Sequence, residues 1–102
     1  MADFRNGLHL IPEHMHHGIT LWIEHGYVNL LGGFLRAVLS NDLVGAFSQA
    51  DDKNAASMRG WVLFLYNYAP SLCYGSPERV AQWSYSHEEL RKVMKEAKAD
   101  DA

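Results

Sequence analysis

The sequence has little of what would place it in several large classes of protein. Its 102 residues include one cysteine, Cys73, so no internal disulfide can form, which suits a reducing cytosol. Nine Lys and Arg against twelve Asp and Glu give a net charge of -3 with His neutral, whereas non-specific nucleic-acid binders usually carry a basic surface. The longest apolar run, residues 61–66, is too short for a membrane span, and we see no signal-peptide pattern. We therefore expect a cytosolic protein that does not bind membranes.

Catalytic and nucleotide-binding motifs are missing as well. No GxSxG motif surrounds Ser40 or Ser76, and Gly32-Gly33 lies outside any glycine pattern that holds phosphate. Nothing near Cys73 in the sequence indicates an activated thiol. Helix capping explains the two serines, and a small buried or half-buried thiol explains the cysteine. We predict that the protein is not an enzyme and needs no cofactor.

Histidine is abundant and clustered, since five of the six histidines lie in the first quarter of the chain. His14 and His17 are three residues apart and would share one face of a helix, with Glu13 and Cys73 as further possible metal donors. However, there is no HExxH motif, no paired CxxC and no second histidine cluster to complete four ligands. A solvated polar face is therefore the prediction, and no metal site is assigned.

Helical periodicity is the main structural signal. Apolar residues recur at helical spacing along most of the chain, and no stretch alternates between apolar and polar residues as a half-buried strand would. A hydrophobic content of 48% is enough for one core in a chain of this length. We predict a single all-α domain over residues 1–102, a small bundle of about five helices, with an irregular arm at residues 1–10 and a frayed tail at residues 99–102.

Local start and stop signals divide the first half of the chain. A helix is predicted over residues 12–25, with Gly26 as its stop. Apolar stripes over residues 34–39 and 43–50 follow, separated by the capping residues Ser40-Asn41-Asp42. That cluster either joins two helices or kinks a single one.

The second half has equally sharp signals. Asp51 and Asp52 open a helix that Pro70 stops, and its apolar residues extend almost all round, as in a central buried helix. Ser76-Pro77-Glu78 is a strong start signal for a short helix. Ser86 and Glu89 form a capping box that predicts the last helix over about residues 87–98.

Aromatic residues are more numerous than one small core is expected to bury. Most must be core, but a half-exposed minority beside acidic residues would make a protein-binding surface. The acids at the predicted helix starts and one neighbouring tyrosine are therefore the candidate partner-binding residues: Asp42, Asp51, Asp52, Tyr74 and Glu78.

Several segments between residues 11 and 84 occur together in one known family. They are Gly18-Ile19, Ile23-Glu24-His25-Gly26, Gly33-Phe34-Leu35, Ala37-Val38-Leu39-Ser40-Asn41-Asp42-Leu43, Ala50-Asp51, Asn54, Phe64-Leu65-Tyr66-Asn67, Pro70 and Cys73-Tyr74-Gly75-Ser76. Through them the chain resembles a family of small proteins encoded by phages and prophages of proteobacteria. The family has no assigned enzymatic activity, so the resemblance supplies no active-site residue.

The resemblance implies a function in the host bacterium. Small acidic helical phage proteins without catalytic residues are often inhibitors of host complexes, and anti-CRISPR proteins are a prominent class of them. We therefore expect a protein-binding inhibitor of a host defence complex, an anti-CRISPR that binds a CRISPR–Cas surveillance complex and blocks its DNA binding. The alternative is a small phage regulatory protein that binds nucleic acid, either as a monomer or as a dimer. Residues 34–50 superficially resemble a helix-turn-helix, but residues 42–50 contain no Lys or Arg to contact DNA.

Overall fold

The computed structural model describes residues 3–100, and the side chains of residues 3–96. Within that span it is all-α, as predicted, and contains no β-strand. It has six α-helices rather than about five: α1 (His16–His25), α2 (Gly33–Leu39), α3 (Leu43–Gln49), α4 (Asp52–Ala56), α5 (Met58–Asn67) and α6 (Pro77–Asp100). Four 3-10 helices accompany them, at Phe4–Leu10, Glu13–Met15, Val28–Leu30 and Ser71–Cys73. No helix among the described residues has both the length and the apolar character needed to cross a membrane.

The core forms around two tryptophans that are fully buried. Trp22 from α1 donates its indole N–H to the carbonyl oxygen of Cys73 at 3.0 Å. Trp61 from α5 donates to the side-chain oxygen of Asn54 at 3.1 Å, and the ring of Phe34 meets Trp61 edge-on. Because both indole N–H groups have partners, these large side chains are buried without an unsatisfied donor.

Residues 4–10 do not form the irregular arm that the sequence predicts for residues 1–10. Residues Phe4–Leu10 form a 3-10 helix that packs against α5, with Phe4 and Gly7 buried. Gly60 permits this close approach, because a Cβ atom at that position would collide with the carbonyl oxygen of Leu10. A 3-10 helix has three residues per turn, so the search for a 3.6-residue period does not detect it.

The helix predicted over residues 12–25 is present in two parts. Residues Glu13–Met15 form a 3-10 turn, and α1 follows it. Gly26 ends α1 in the left-handed conformation, with φ of 64°, and donates its N–H to the carbonyl oxygen of Trp22. This is the glycine stop predicted from the sequence.

Residues 41 and 42 join two helices instead of kinking one. Asn41 adopts a left-handed conformation with φ of 63°. The N–H groups of Asn41 and Asp42 bond back to the carbonyl oxygens of Val38 and Ala37, which is the Schellman arrangement at the end of a helix. The Asp42 carboxylate then accepts the Gly45 N–H at 2.9 Å and starts α3.

The capping box at Ser86 and Glu89 does not start a helix. Ser76 caps α6 by accepting the N–H of Arg79 at 3.1 Å, and the helix then continues without a break to Asp100. Ser86 accepts a hydrogen bond from Gln82 one turn earlier instead. The predicted frayed tail is helical as far as Asp100, and residues 101–102 lie outside the described part of the chain.

The length of α6 makes the molecule elongated. The overall dimensions are 51 × 25 × 21 Å, and a helix of 24 residues is about 36 Å long. The first half of α6 packs on the body of the protein, whereas the side chains of residues 90–96 are all exposed. The second half of α6 therefore extends beyond the helices that it packs against.

Candidate functional site

An apolar groove lies between the α2–α3 hairpin and α5. Its volume is about 230 Å³, below the ~300–1,000 Å³ usual for small-molecule sites. Its walls are mainly aliphatic and aromatic, and its size suits an apolar side chain of a protein partner. We call this surface the groove, and it is lined by Val38, Asn41, Asp42, Leu43, Ala46, Met58, Trp61, Val62, Leu65, Tyr66, Tyr74 and Gly75.

The groove exists because two helices meet at a sharp turn. The Schellman turn at Asn41 reverses the chain, so that α3 packs back against α2. Ala46 is the buried contact of α3, and its small side chain leaves space between that helix and α5. Trp61 and Leu65 form the buried floor of the groove from α5.

Large apolar side chains remain exposed at this surface. Leu43 and Val62 are 66% and 62% exposed, and Tyr66 is 80% exposed. Val44 and Phe47 extend the apolar surface along the outer side of α3. The sequence predicted that the apolar residues of α5 are buried almost all round, and this was wrong for Val62, because no described element covers its side of the helix. Contiguous exposed apolar surface of this kind marks interaction sites in small proteins.

Two of the predicted partner-binding residues line the groove. Asp42 is exposed at the α2–α3 turn, where one carboxylate oxygen caps α3. Tyr74 is half-buried, and burial is the main cause that raises the pKa of its hydroxyl. The groove thus combines an apolar floor with an acid and a phenol at its edge, an arrangement common in protein-binding surfaces.

The other predicted residues lie elsewhere. Asp51 and Asp52 are exposed in a separate depression with His14 and Lys53, which shares no lining residue with the groove. Glu78 is exposed in the first turn of α6. The structure therefore brings Asp42 and Tyr74 together in the groove and leaves the other three acids outside it.

Asp51 has a clear structural role. Its carboxylate accepts the N–H of Asn54 at 2.7 Å and caps α4, and it also lies 2.9 Å from the Nε2 atom of His14. The Asn54 N–H is the main cause that lowers the pKa of Asp51, and His14 lowers it further. The helix start predicted at Asp51 is therefore confirmed, although α4 ends at Ala56 and α5 begins separately at Met58.

The clustered histidines have different neighbours. His14 bonds to Asp51, His16 lies 3.1 Å from the carbonyl oxygen of Ile11, and His25 stacks on Tyr27. Within residues 3–96, whose side chains are described, no group of three or more His, Cys, Asp or Glu side chains is placed to hold a metal ion.

Cys73 is a fully buried member of the core. Burial raises the pKa of its thiol to about 12, so the nucleophilic thiolate form is scarce at neutral pH. The prediction of a buried thiol is confirmed, and the residue packs as a small apolar side chain.

Sequence reasoning did not identify the groove. Leu43 and Val62 were assigned to buried stripes, since helical periodicity alone does not distinguish a covered apolar stripe from an open one. The only signal in the sequence was the surplus of aromatic residues, of which Tyr66 and Tyr85 are the strongly exposed members.

Comparison of the chain with protein-family models, curated proteins and solved structures finds no match. The resemblance to a phage-encoded family therefore stays a prediction from the sequence segments that carry it.

Proposed function

We propose that this chain is a protein-binding inhibitor that docks on a host defence complex through the groove and the exposed side of α3. The observation that carries this proposal is the groove itself, with Leu43, Val62 and Tyr66 each more than half exposed around an apolar floor. Burial of such side chains, at roughly 25 cal/mol per Å² of apolar surface, is the usual source of affinity in compact interfaces.

The chemistry of the groove defines the surface that it fits. An apolar side chain of the partner would enter between Val38 and Val62, with Tyr66 and Tyr74 as aromatic contacts at the edge. Asp42 would face a basic residue next to that side chain, because it is the only formal charge lining the groove among the described residues. A helix or loop that presents a large apolar residue beside Lys or Arg meets these requirements.

We base the proposed target on the family resemblance. A CRISPR–Cas surveillance complex binds DNA through a surface rich in Lys and Arg. An acidic protein bound there would block that basic surface both sterically and electrostatically. The net charge of -3 supports this mechanism. The proposal also implies that the protein acts in the cytosol of the host bacterium.

The positions of the arginines favour this proposal over nucleic-acid binding. Arg36 and Arg79 donate to the backbone carbonyl oxygens of Val28 and Ser71. Arg91 donates to the carbonyl oxygen of His25. Side chains that bond within the protein in this way are less free to contact phosphates.

A purified surveillance complex loaded with guide RNA provides the test. Target-DNA binding is measured in a gel-shift assay with rising amounts of the wild-type chain, Val62→Glu or Leu30→Glu. We expect the wild type to reduce DNA binding at near-equimolar amounts and Val62→Glu to lose most of that effect, because a charge in the groove opposes apolar contact.

Leu30→Glu is the matched control, since Leu30 is 61% exposed but does not line the groove. Equal inhibition by all three proteins would exclude the groove as the docking surface. Failure of the wild type to inhibit any DNA-targeting surveillance complex would exclude the anti-CRISPR assignment.

A further inference from the structure

The second half of α6 has an apolar side that nothing in the described chain covers. In the first half, Val80 is buried, and Trp83 and His87 pack against α1 and Gly26. Leu90 and Met94 lie seven residues after Trp83 and His87, so they continue the same side of the helix beyond the body. Leu90, Val93 and Met94, here called the tail stripe, are between 56% and 60% exposed.

The tail stripe has flanks of opposite charge. On a helix with 3.6 residues per turn, Lys95 lies along one edge of the stripe, and Glu89 and Glu96 lie along the other. Arg91 is on the same edge as Lys95, but its guanidinium donates to the carbonyl oxygen of His25 in the same chain. The two edges of the stripe therefore differ in charge. This difference favours one orientation of the stripe in a groove, with an acid beside its basic edge and a base beside its acidic edge.

Charged residues of both signs lie at or near the groove. Asp42 lies at the edge formed by the α2–α3 turn. Arg59 does not line the groove, but it is exposed on α5 one turn before Val62, so helical geometry places it on the same side of α5 as Val62. A tail stripe in the groove would bring Lys95 toward Asp42 and its acidic edge toward Arg59.

The positions of the two surfaces along the chain suit a two-fold arrangement. Tyr74 and Gly75 of the groove immediately precede α6, whereas the tail stripe begins 13 residues after its first residue, Pro77. If the α6 helices of two copies run antiparallel, the tail stripe of each copy reaches the groove of the other. Such an interface is closed and uses every contact twice, as two-fold dimers do.

We propose that the groove is filled by the tail stripe of a second copy of this chain, so that the free protein is a two-fold dimer. Each copy contributes six large apolar side chains that are more than half exposed in the single chain: Leu43, Val62, Tyr66, Leu90, Val93 and Met94. The proposal rests on the proposed function only in treating the groove as a docking surface, and a host partner would displace the second copy.

Size-exclusion chromatography with light scattering on the purified full chain tests the dimer without any host component. The wild type should have twice the monomer mass of 11.5 kDa and dissociate on dilution. Val62→Glu in the groove and Leu90→Glu in the tail stripe should each raise the dimer Kd at least about tenfold, because each places a charge in an apolar contact. Both positions are exposed in the single chain, so circular dichroism should show unchanged helix content.

Mixing the two variants gives the decisive result. Val62→Glu keeps an intact tail stripe and Leu90→Glu keeps an intact groove, so the mixture can form a dimer with one complete contact. We expect the mixture to associate more strongly than either variant alone.

Three outcomes would overturn the proposal: a monomeric wild type at high concentration, a dimer that Leu90→Glu leaves unchanged, or a mixture no more associated than its components. None of them bears on inhibition of a surveillance complex, which the gel-shift assay measures separately.

Discussion

The side-chain oxygen of Asn54 accepts a hydrogen bond of 3.1 Å from the indole N–H of Trp61. Asn54 is the only buried polar or charged residue among the described residues, and Trp61 is fully buried. The backbone of Asn54 also donates to Asp51 and accepts from Ser57. One residue therefore ties α4 to its N-terminal cap and to the central tryptophan of α5.

We expect Asn54→Ala to lower the free energy of unfolding by about 1–3 kcal/mol, because the buried indole N–H loses its acceptor. Urea unfolding monitored by tryptophan fluorescence measures the change. A double-mutant cycle with Trp61→Phe separates the hydrogen bond from the loss of volume. If the two substitutions add without an interaction energy, the hydrogen bond does not contribute to stability.

Local signals predicted the helix starts well because a cap is a local hydrogen bond. Asp42, Asp51 and Ser76 each accept an N–H three residues later, and no distant part of the chain is needed for that. The capping box at Ser86 failed for a related reason. The same residues fit equally well inside a helix, and Trp83 and His87 pack on the body there, against Trp22 and Gly26, while α6 continues without a break.

The groove and the 3-10 helix at the start of the chain depend on tertiary contacts. The 3-10 helix Phe4–Leu10 packs against α5, and Gly60 allows the close approach of Leu10. Leu43 and Val62 have the spacing of core residues, so the sequence pattern predicts that they are buried. The tertiary structure leaves both exposed, because no described element covers this side of α3 and α5. Sequence patterns locate most of the α-helical segments, but they do not identify which apolar side remains uncovered.

Gly60→Ala tests the packing of the first 3-10 helix on α5. In an exposed helix interior this change would stabilise the protein by about 1 kcal/mol. Here the new methyl group meets the Leu10 carbonyl oxygen, which is backbone. We therefore expect a loss of about 1–3 kcal/mol in the free energy of unfolding, as in other overpacked sites.

Gly18→Ala in α1 is the matched control, since its Cβ would lie at an ordinary 3.8 Å from Leu35. It should leave stability unchanged or raise it by up to about 1 kcal/mol. Similar thermal unfolding of both variants would show that the first 3-10 helix does not pack tightly on α5.

The Asp51 cap should make stability depend on pH in the acidic range. The Asn54 N–H and His14 lower the pKa of Asp51 in the folded state, so the ionised carboxylate stabilises the fold above its unfolded pKa of about 4. That contribution is lost as the pH falls through the lower folded value. Asp51→Asn keeps a capping oxygen, so it should weaken this part of the pH dependence while the helix remains.

Urea unfolding of wild type and Asp51→Asn at several pH values on both sides of pH 4 measures the effect. Asp52→Asn, which removes the neighbouring carboxylate and leaves the cap in place, is the control. A pH dependence that Asp52→Asn alters as much as Asp51→Asn does would assign the effect to overall charge instead of the cap.

If the tail stripe covers the groove in the free dimer, Leu90→Glu should bind the host complex more tightly than the wild type. Only the fraction of chains with an open groove can bind, and the apparent Kd is the intrinsic Kd divided by that fraction. In a monomeric variant every groove is open, so the fraction is one. Its apparent Kd should therefore be lower than that of the wild type by a factor equal to the wild-type open fraction. Titration of a labelled surveillance complex with both proteins measures this at concentrations where the wild type is dimeric. Weaker binding by Leu90→Glu would instead mean that α6 itself contacts the host complex, because loss of the dimer alone can only free the groove.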